Sequence, residues 1–286
     1  MNSPMKKYFW RNVAFTIIGM FAIIGFVLTV GYIAVRLGLT NSSGIIDNQR
    51  QSFLNGADVN GAGNATTTQY YWQTLPEWQT LRTAVLKDEP TLDRAAQDSG
   101  VPARLIIAPL VAEQLRFFFD DRASYEKFFA PLKILGSETQ FSWGVMGIKE
   151  ATAVQIENNL KDSTSPYYLG PQYEHILDFP ATTTPTNISQ VRFVRLTDQH
   201  NHYWSYLYAG LYMAEIEHQW KTAGFDISKQ PDILATLFNV GFDNSHPKAN
   251  PQSGGAPIPI GSQIYSFGSL AGQFYNSREL ANEFPR

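Results

Sequence analysis

Ser99-Gly100-Val101-Pro102-Ala103-Arg104-Leu105-Ile106-Ile107-Ala108-Pro109-Leu110-Val111-Ala112-Glu113 is the stretch on which the fold turns. Glycine followed by proline makes a turn, and proline suits a first helical turn because its missing N–H would have had no partner there. The run that follows is almost wholly apolar, so the helix predicted from Pro102 to Phe119 should be buried rather than amphipathic. Pro109 should kink it or mark a boundary, since it removes an intrahelical hydrogen bond. Glu113 is the one acid in the run. Apolar walls strip water from a carboxylate, and general acids are found in such surroundings. The alternative is a solvent-facing Glu113 paired with Arg116 three residues on.

Outward from this helix the chain reads as mainly helical. Leu75 to Leu86 has helical spacing. Thr91 is a candidate cap for a helix over Leu92 to Gln97, ended by Asp98-Ser99-Gly100. Further helices are predicted at Ser124 to Phe129, Ala151 to Leu160, Tyr203 to Trp220 and from Pro231 onward. A short strand is expected at Val191 to Leu196, inside a Pro/Thr-rich segment. Residues 253–261 read as a loop, and Ile264 to Tyr275 as a closing helix.

Residues 13–35, VAFTIIGMFAIIGFVLTVGYIAV, carry no charge. At about 1.5 Å per residue such a run crosses a hydrocarbon core of about 30 Å. A cleavable leader has a shorter apolar region and a small-residue cleavage site, and Val35-Arg36-Leu37-Gly38 makes a poor one. Lys6, Lys7 and Arg11 precede the run and Arg36 follows it. The predicted organisation is therefore a cytoplasmic N-terminus at 1–12, a transmembrane helix at 13–35, a flexible Asn/Ser/Gly/Thr-rich linker at 36–69 and an extracytoplasmic domain at 70–286. The 22 Lys and Arg against 25 Asp and Glu leave a formal net charge of -3, with no basic field for nucleic acid. The absence of cysteine excludes disulfides and thiolate chemistry. His200 and His202 are spaced i, i+2, which a helix cannot use as a metal pair, and no metal or cofactor is expected.

Two further blocks follow Glu113 in order. One is Ser142-Trp143-Gly144-Val145-Met146-Gly147-Ile148-Lys149-Glu150-Ala151-Thr152-Ala153. The other is Leu234-Ala235-Thr236-Leu237-Phe238-Asn239-Val240-Gly241, preceded by Ala209-Gly210-Leu211-Tyr212-Met213. The ordered set, over about half the chain, resembles the catalytic domain of soluble lytic transglycosylases and goose-type lysozymes. It departs from the family at Gln114, usually Ser; at Gly147, usually Gln; and at Phe238, usually Tyr. The resemblance implies a lysozyme-like helical domain and peptidoglycan glycan strands as the partner. It implies Glu113 as catalytic residue, and Ser142, Gly144, Met146, Tyr212 and Asn239 as substrate-binding residues.

A transglycosylase uses one carboxyl as acid and then base, leaving a 1,6-anhydro end, whereas a hydrolase needs a second carboxylate. Glu138 is the best candidate for that second group, ahead of Asp120, Asp121 and Glu150. The expected function is a lytic transglycosylase held at the cytoplasmic membrane with its domain outside. The departures leave a non-catalytic wall-binding or scaffold protein as the alternative, and a lysozyme-type hydrolase as the third reading.

Overall fold

The computed structural model describes residues 69–119, 142–198 and 200–286. The predicted span at 13–35, most of the linker, the helix expected at 124–129, and Asp120, Asp121 and Glu138 lie outside the described residues. Among the described residues no helix is long and apolar enough to cross a membrane.

The architecture is mainly α. Helix α1 (Pro76–Lys87) and helix α2 (Glu89–Ser99) are joined at Asp88. The second starts before the expected cap at Thr91, because Pro90 sits in its first turn, where a missing N–H costs nothing. Gly100, in the left-handed conformation at φ 73°, ends it. Helix α3 (Ala103–Phe119) runs unbroken through Pro109. Burial overrides the proline: Ile106, Ile107, Ala108, Val111, Ala112 and Leu115 are each wholly buried around that position.

After α3 comes a two-residue antiparallel ribbon, β1 (Ser142–Trp143) and β2 (Ile148–Lys149), running directly into α4 (Glu150–Asn159). The strand expected at Val191 to Leu196 is instead helix α5 (Ile188–Thr197). Arg192 and Arg195 explain the correction. Three residues apart, they share a helix face. Arg192 reaches Glu157 on α4 through Nε and Nη2, both at 2.7 Å. Arg195 reaches the carbonyls of Leu177 and Asp178 at 2.9 and 2.7 Å. A strand would place the two arginines on opposite faces.

Helix α6 (Tyr203–Thr222) is buried along most of its length and packs against α2, α4, α5 and α7 (Pro231–Val240). The predicted loop at 253–261 contains a strand. β3 (Pro257–Ile260) pairs with β4 (Gln263–Ser266), and the closing helix α8 is Phe267–Asn276, starting after Ile264 rather than at it. Ser266 and Ser269 cap it reciprocally.

Helix α8 lies against α7 and α3, and one side chain fastens it. Arg104, in the first turn of α3, has no exposed surface. Its Nε donates to the carbonyl of Tyr275 at 2.9 Å, Nη1 to Glu279 and Phe284 at 2.9 and 3.1 Å, and Nη2 to Phe274 and Ser277 at 3.0 and 2.9 Å. Every N–H of the guanidinium is used, and the carbonyls left over at the end of α8 are satisfied. Burial, then Arg286, pulls the Arg104 pKa down to about 10, against Tyr275 and Glu279, so the group stays charged at neutral pH.

Arg104→Met should lower the free energy of unfolding by about 4 kcal/mol, since buried carbonyls lose their donors. Arg104→Lys should recover only part of this, an ammonium having three donors and no fork. Urea unfolding of the full chain measures the loss, and hydrogen exchange at residues 274–284 should show the tail opening first.

Candidate active site

Glu113 projects from α3 beneath the turn between β1 and β2. Gln114, next on the helix, donates from Nε2 to the carbonyl of Val145 at 2.6 Å and holds that turn down. The register pairs Ser142 with Lys149 and Trp143 with Ile148. Gly147 completes the turn at φ +64° and lies directly on the carboxylate. A Cβ there would stand 2.3 Å from Glu113 Oε1 and 2.7 Å from Cδ. Glycine is thus required twice, for the left-handed backbone and for the space Glu113 fills.

Glu113 is buried, with 9% of its surface exposed. It does not face solvent, but the Arg116 pairing anticipated for a solvent-facing side chain is present. Nη2 of Arg116 bridges both carboxylate oxygens at 2.7 Å each.

Gly147, Ile148 and Lys149 continue into a cleft that Thr152 of α4, Tyr212 of α6 and Phe238, Asn239, Val240 and Gly241 at the end of α7 also line. Segments far apart in sequence meet here: the second block, the Tyr212 helix and the third block. Tyr212 packs its ring on Phe238 and Phe242, with centroids 5.1 and 4.5 Å away. The Asn239 side chain is anchored, because its Oδ1 accepts from the backbone N–H of Ala256 at 2.8 Å. Its amide nitrogen has no hydrogen-bond partner among the described residues. The loop at 253–256, whose role the sequence did not disclose, therefore positions one wall of the cleft.

Two predicted binding residues, Met146 and Gly144, pack elsewhere. Met146 is wholly buried in the core. Gly144, at φ +65°, presses on the last turn of α5, where a Cβ would be 1.8 Å from the carbonyl oxygen of Leu196. Its lack of a side chain serves backbone packing rather than approach to a sugar. Ser142 is paired with Lys149 in the ribbon register. Of the aromatics on α6, only Tyr212 lines the cleft. Tyr203 donates to Asp98 at 2.6 Å, Tyr206 to Asp88 at 2.7 Å and Tyr208 to Glu157 at 2.6 Å, while Trp204 lies under the Arg195 guanidinium at 4.1 Å.

Glu150 is neither a second carboxylate in the cleft nor a surface charge. It is buried and bonded to Arg192 at 3.3 Å and to Ser189. His202 pairs through Nδ1 with Asp88, and no group of three or more metal-binding side chains occurs among the described residues. Lys149 and Thr152 line the cleft without having been singled out. Their signal was position: a strand end and a first helical turn, both adjoining the turn over Glu113.

Behind Tyr212, one turn along α6, sits Glu215 with no exposed surface. Its Oε2 accepts from Asn159 Nδ2 at 3.0 Å, while its Oε1 and the Tyr212 hydroxyl find no partner among the described residues. Burial raises the Glu215 pKa well above the ordinary carboxyl value, opposed only in part by Asn159. Burial, then Glu215, also raises that of the Tyr212 phenol.

Gly147→Ala should cost at least about 1 kcal/mol for the left-handed backbone alone, and more for displacing Glu113. In Gly147→Ala with Glu113→Ala the second part should vanish; strict additivity of the two losses in thermal melts would refute the packing of the turn on Glu113. For Glu215 the sign follows from its raised pKa. The unfolded carboxyl loses its proton in the ordinary range and the folded one keeps it, so its stabilising contribution is full in acid and falls as pH rises toward the folded pKa. Between about pH 5 and about pH 8 the wild-type melting temperature should decline more steeply than that of Glu215→Gln; parallel curves would contradict this.

No protein-family model, no curated protein sequence and no solved structure matches this chain.

Proposed function

We propose that this protein is a peptidoglycan lytic transglycosylase with a lysozyme-like helical domain, anchored in the cytoplasmic membrane by residues 13–35 and acting outside it. The observation that carries the reading is convergence. Residues of the second and third blocks that resemble the soluble lytic transglycosylases and goose-type lysozymes line one cleft, and Gly147 of the second block lies on the Glu113 carboxylate of the first.

In the proposed reaction Glu113 protonates the glycosidic oxygen between N-acetylmuramic acid and N-acetylglucosamine, and the bond to C1 breaks. The resulting carboxylate then takes the proton from the muramic 6-hydroxyl as that oxygen attacks C1. The product is a 1,6-anhydro sugar, no water is consumed and Glu113 is regenerated. This route needs a single carboxyl, whereas hydrolysis would need a second one. Asn239, with its oxygen engaged by Ala256, keeps an amide donor for the sugar's acetamido or hydroxyl groups. The Tyr212 ring offers an apolar wall.

A second reading, a non-catalytic glycan-binding protein, draws on the ion pair. Glu113 held through both oxygens by Arg116 must open that pair before it can protonate anything.

Mass spectrometry of purified peptidoglycan incubated with the full chain in detergent micelles decides between them. Anhydro-muropeptides are expected from the wild type, with a loss of at least about a hundredfold in Glu113→Gln. Reducing-end products would indicate hydrolysis. Binding without turnover, equal in both proteins, would establish the second reading.

A further inference from the structure

Behind the Tyr212 wall of the cleft a line of hydrogen bonds runs in one direction. The backbone N–H of Tyr167 donates to Ser165 Oγ at 3.2 Å, and that hydroxyl donates to Asn159 Oδ1 at 3.1 Å. Asn159, the last residue of α4, is thereby turned so that its Nδ2 donates to Glu215 Oε2 on α6 at 3.0 Å. Oε2 is thus held as an acceptor, and the proton of a neutral Glu215 belongs on Oε1. Burial favours that neutral form, raising the Glu215 pKa well above the ordinary carboxyl value. Oε1 is buried and has no hydrogen-bond partner among the described residues, and the same holds for the Tyr212 hydroxyl. The two residues stand three apart on α6 and share a helix face. Tyr212 is only 2% exposed, so it shows the cleft part of its ring while its hydroxyl is covered.

We propose that Glu215 is a positioning residue for the cleft: its carboxyl, through one buried water, hydrogen-bonds the Tyr212 hydroxyl and so fixes the ring that lines the wall. This deepens the transglycosylase reading and rests on it for the glycan that meets the ring. A donor on Oε1 and an acceptor on the phenol are matched in chemistry and do not reach one another directly, and a water between them satisfies two buried groups that would otherwise be costly. Asn159 and Ser165 orient the acid, Glu215 supplies the donor, and Tyr212 ends the line with its ring against Phe238 and Phe242. A ring set in place beforehand need not be ordered by the glycan when it binds. With its hydroxyl engaged inward, Tyr212 meets the sugar as an apolar surface and not as a hydrogen-bond donor.

Two measurements with the full chain in detergent micelles test this on three substitutions. Tyr212→Phe keeps the ring and removes the hydroxyl, Glu215→Leu removes the donor, and Glu215→Gln retains an oxygen for Asn159 and an N–H for the water. In thermal melts, the unfolding constant of Tyr212→Phe combined with Glu215→Leu should rise about tenfold less than the product of the two single effects. In turnover of soluble glycan strands, followed as anhydro-muropeptide release, Tyr212→Phe and Glu215→Leu should each raise KM about fivefold with kcat nearly unchanged. The two together should raise KM no further. Glu215→Gln should stay within about twofold of the wild-type KM, because its amide takes over the donor role. A purely structural role for Glu215 predicts a loss of stability with KM unmoved.

Strict additivity in the melts, a Glu215→Gln variant as impaired as Glu215→Leu, or a wild-type KM in Tyr212→Phe would overturn the proposal. Coupled melts with no anhydro product from the wild type would instead sink the transglycosylase reading and leave the buried pair standing.

Discussion

The structure hangs on the guanidinium of Arg104. It sits at the start of the buried helix that carries Glu113, and it closes the end of the last helix by accepting no compromise in its own bonding: every donor meets a carbonyl. Carbonyls at the end of α8 and in the tail beyond it need donors once covered, and Arg104 supplies five of these bonds, with Arg286 adding bonds to Tyr275, Asn276 and Ser277. The consequence reaches the cleft. Helix α8, so fastened, lies against α7, and the segment leading into it ties Gly254 to Thr236 and Ala256 to Asn239. One side chain near the start of α3 is thereby linked, through α8 and the segment before it, to the Asn239 wall of the cleft.

The other half of the molecule is braced by buried charge of another kind. Arg192 joins Glu157 and Glu150, Tyr208 adds a hydrogen bond to Glu157, and Arg195 lies between Phe179 and Trp204 while bonding two carbonyls. Such networks are seldom more stabilising than apolar packing would be, but they tolerate no change of register, because each partner left alone is a buried charge. They fix α4 and α5 on α6, and α4 follows directly from the strand bearing Lys149. Glu215 differs, being held by an amide with no cation paired to it among the described residues, and its burial raises its pKa well above the ordinary carboxyl value. The Glu113–Arg116 pair is different again, because its carboxylate lies under Gly147, a residue that also lines the cleft.

Much of this was legible from residue pattern. The buried helix after Pro102, the long aromatic helix from Tyr203 and the helix opened by Pro231 follow from apolar spacing and helix-start chemistry. The failures share a cause. Pro109 does not mark a helix boundary, and residues 191–196 are helix rather than strand, because contacts distant in sequence outweigh local preference. Glu113 stood out as a lone acid among hydrophobes, and its pairing with Arg116 could be read from an i, i+3 spacing. That Met146 is core and Gly144 meets the carbonyl of Leu196 could not, because a short ribbon's facing depends on what packs over it. The link from Ala256 to Asn239 spans 17 residues through a loop with no periodicity to read.

The three positions where the sequence departs from the pattern it resembles, Gln114, Gly147 and Phe238, are not scattered. Gln114 bonds the turn that contains Val145, Gly147 ends that turn upon Glu113, and Phe238 meets Tyr212 across the cleft. Here the glutamine amide holds down the turn whose closing glycine leaves room for the carboxylate, and the carboxylate in that room accepts both contacts from Arg116. A longer side chain at position 147 would occupy the space of Glu113 and break the ion pair. Gln114, Gly147 and Arg116 therefore form one mutually fitted arrangement around Glu113, in which Arg116 holds the carboxylate in the room that a side chain at position 147 would need.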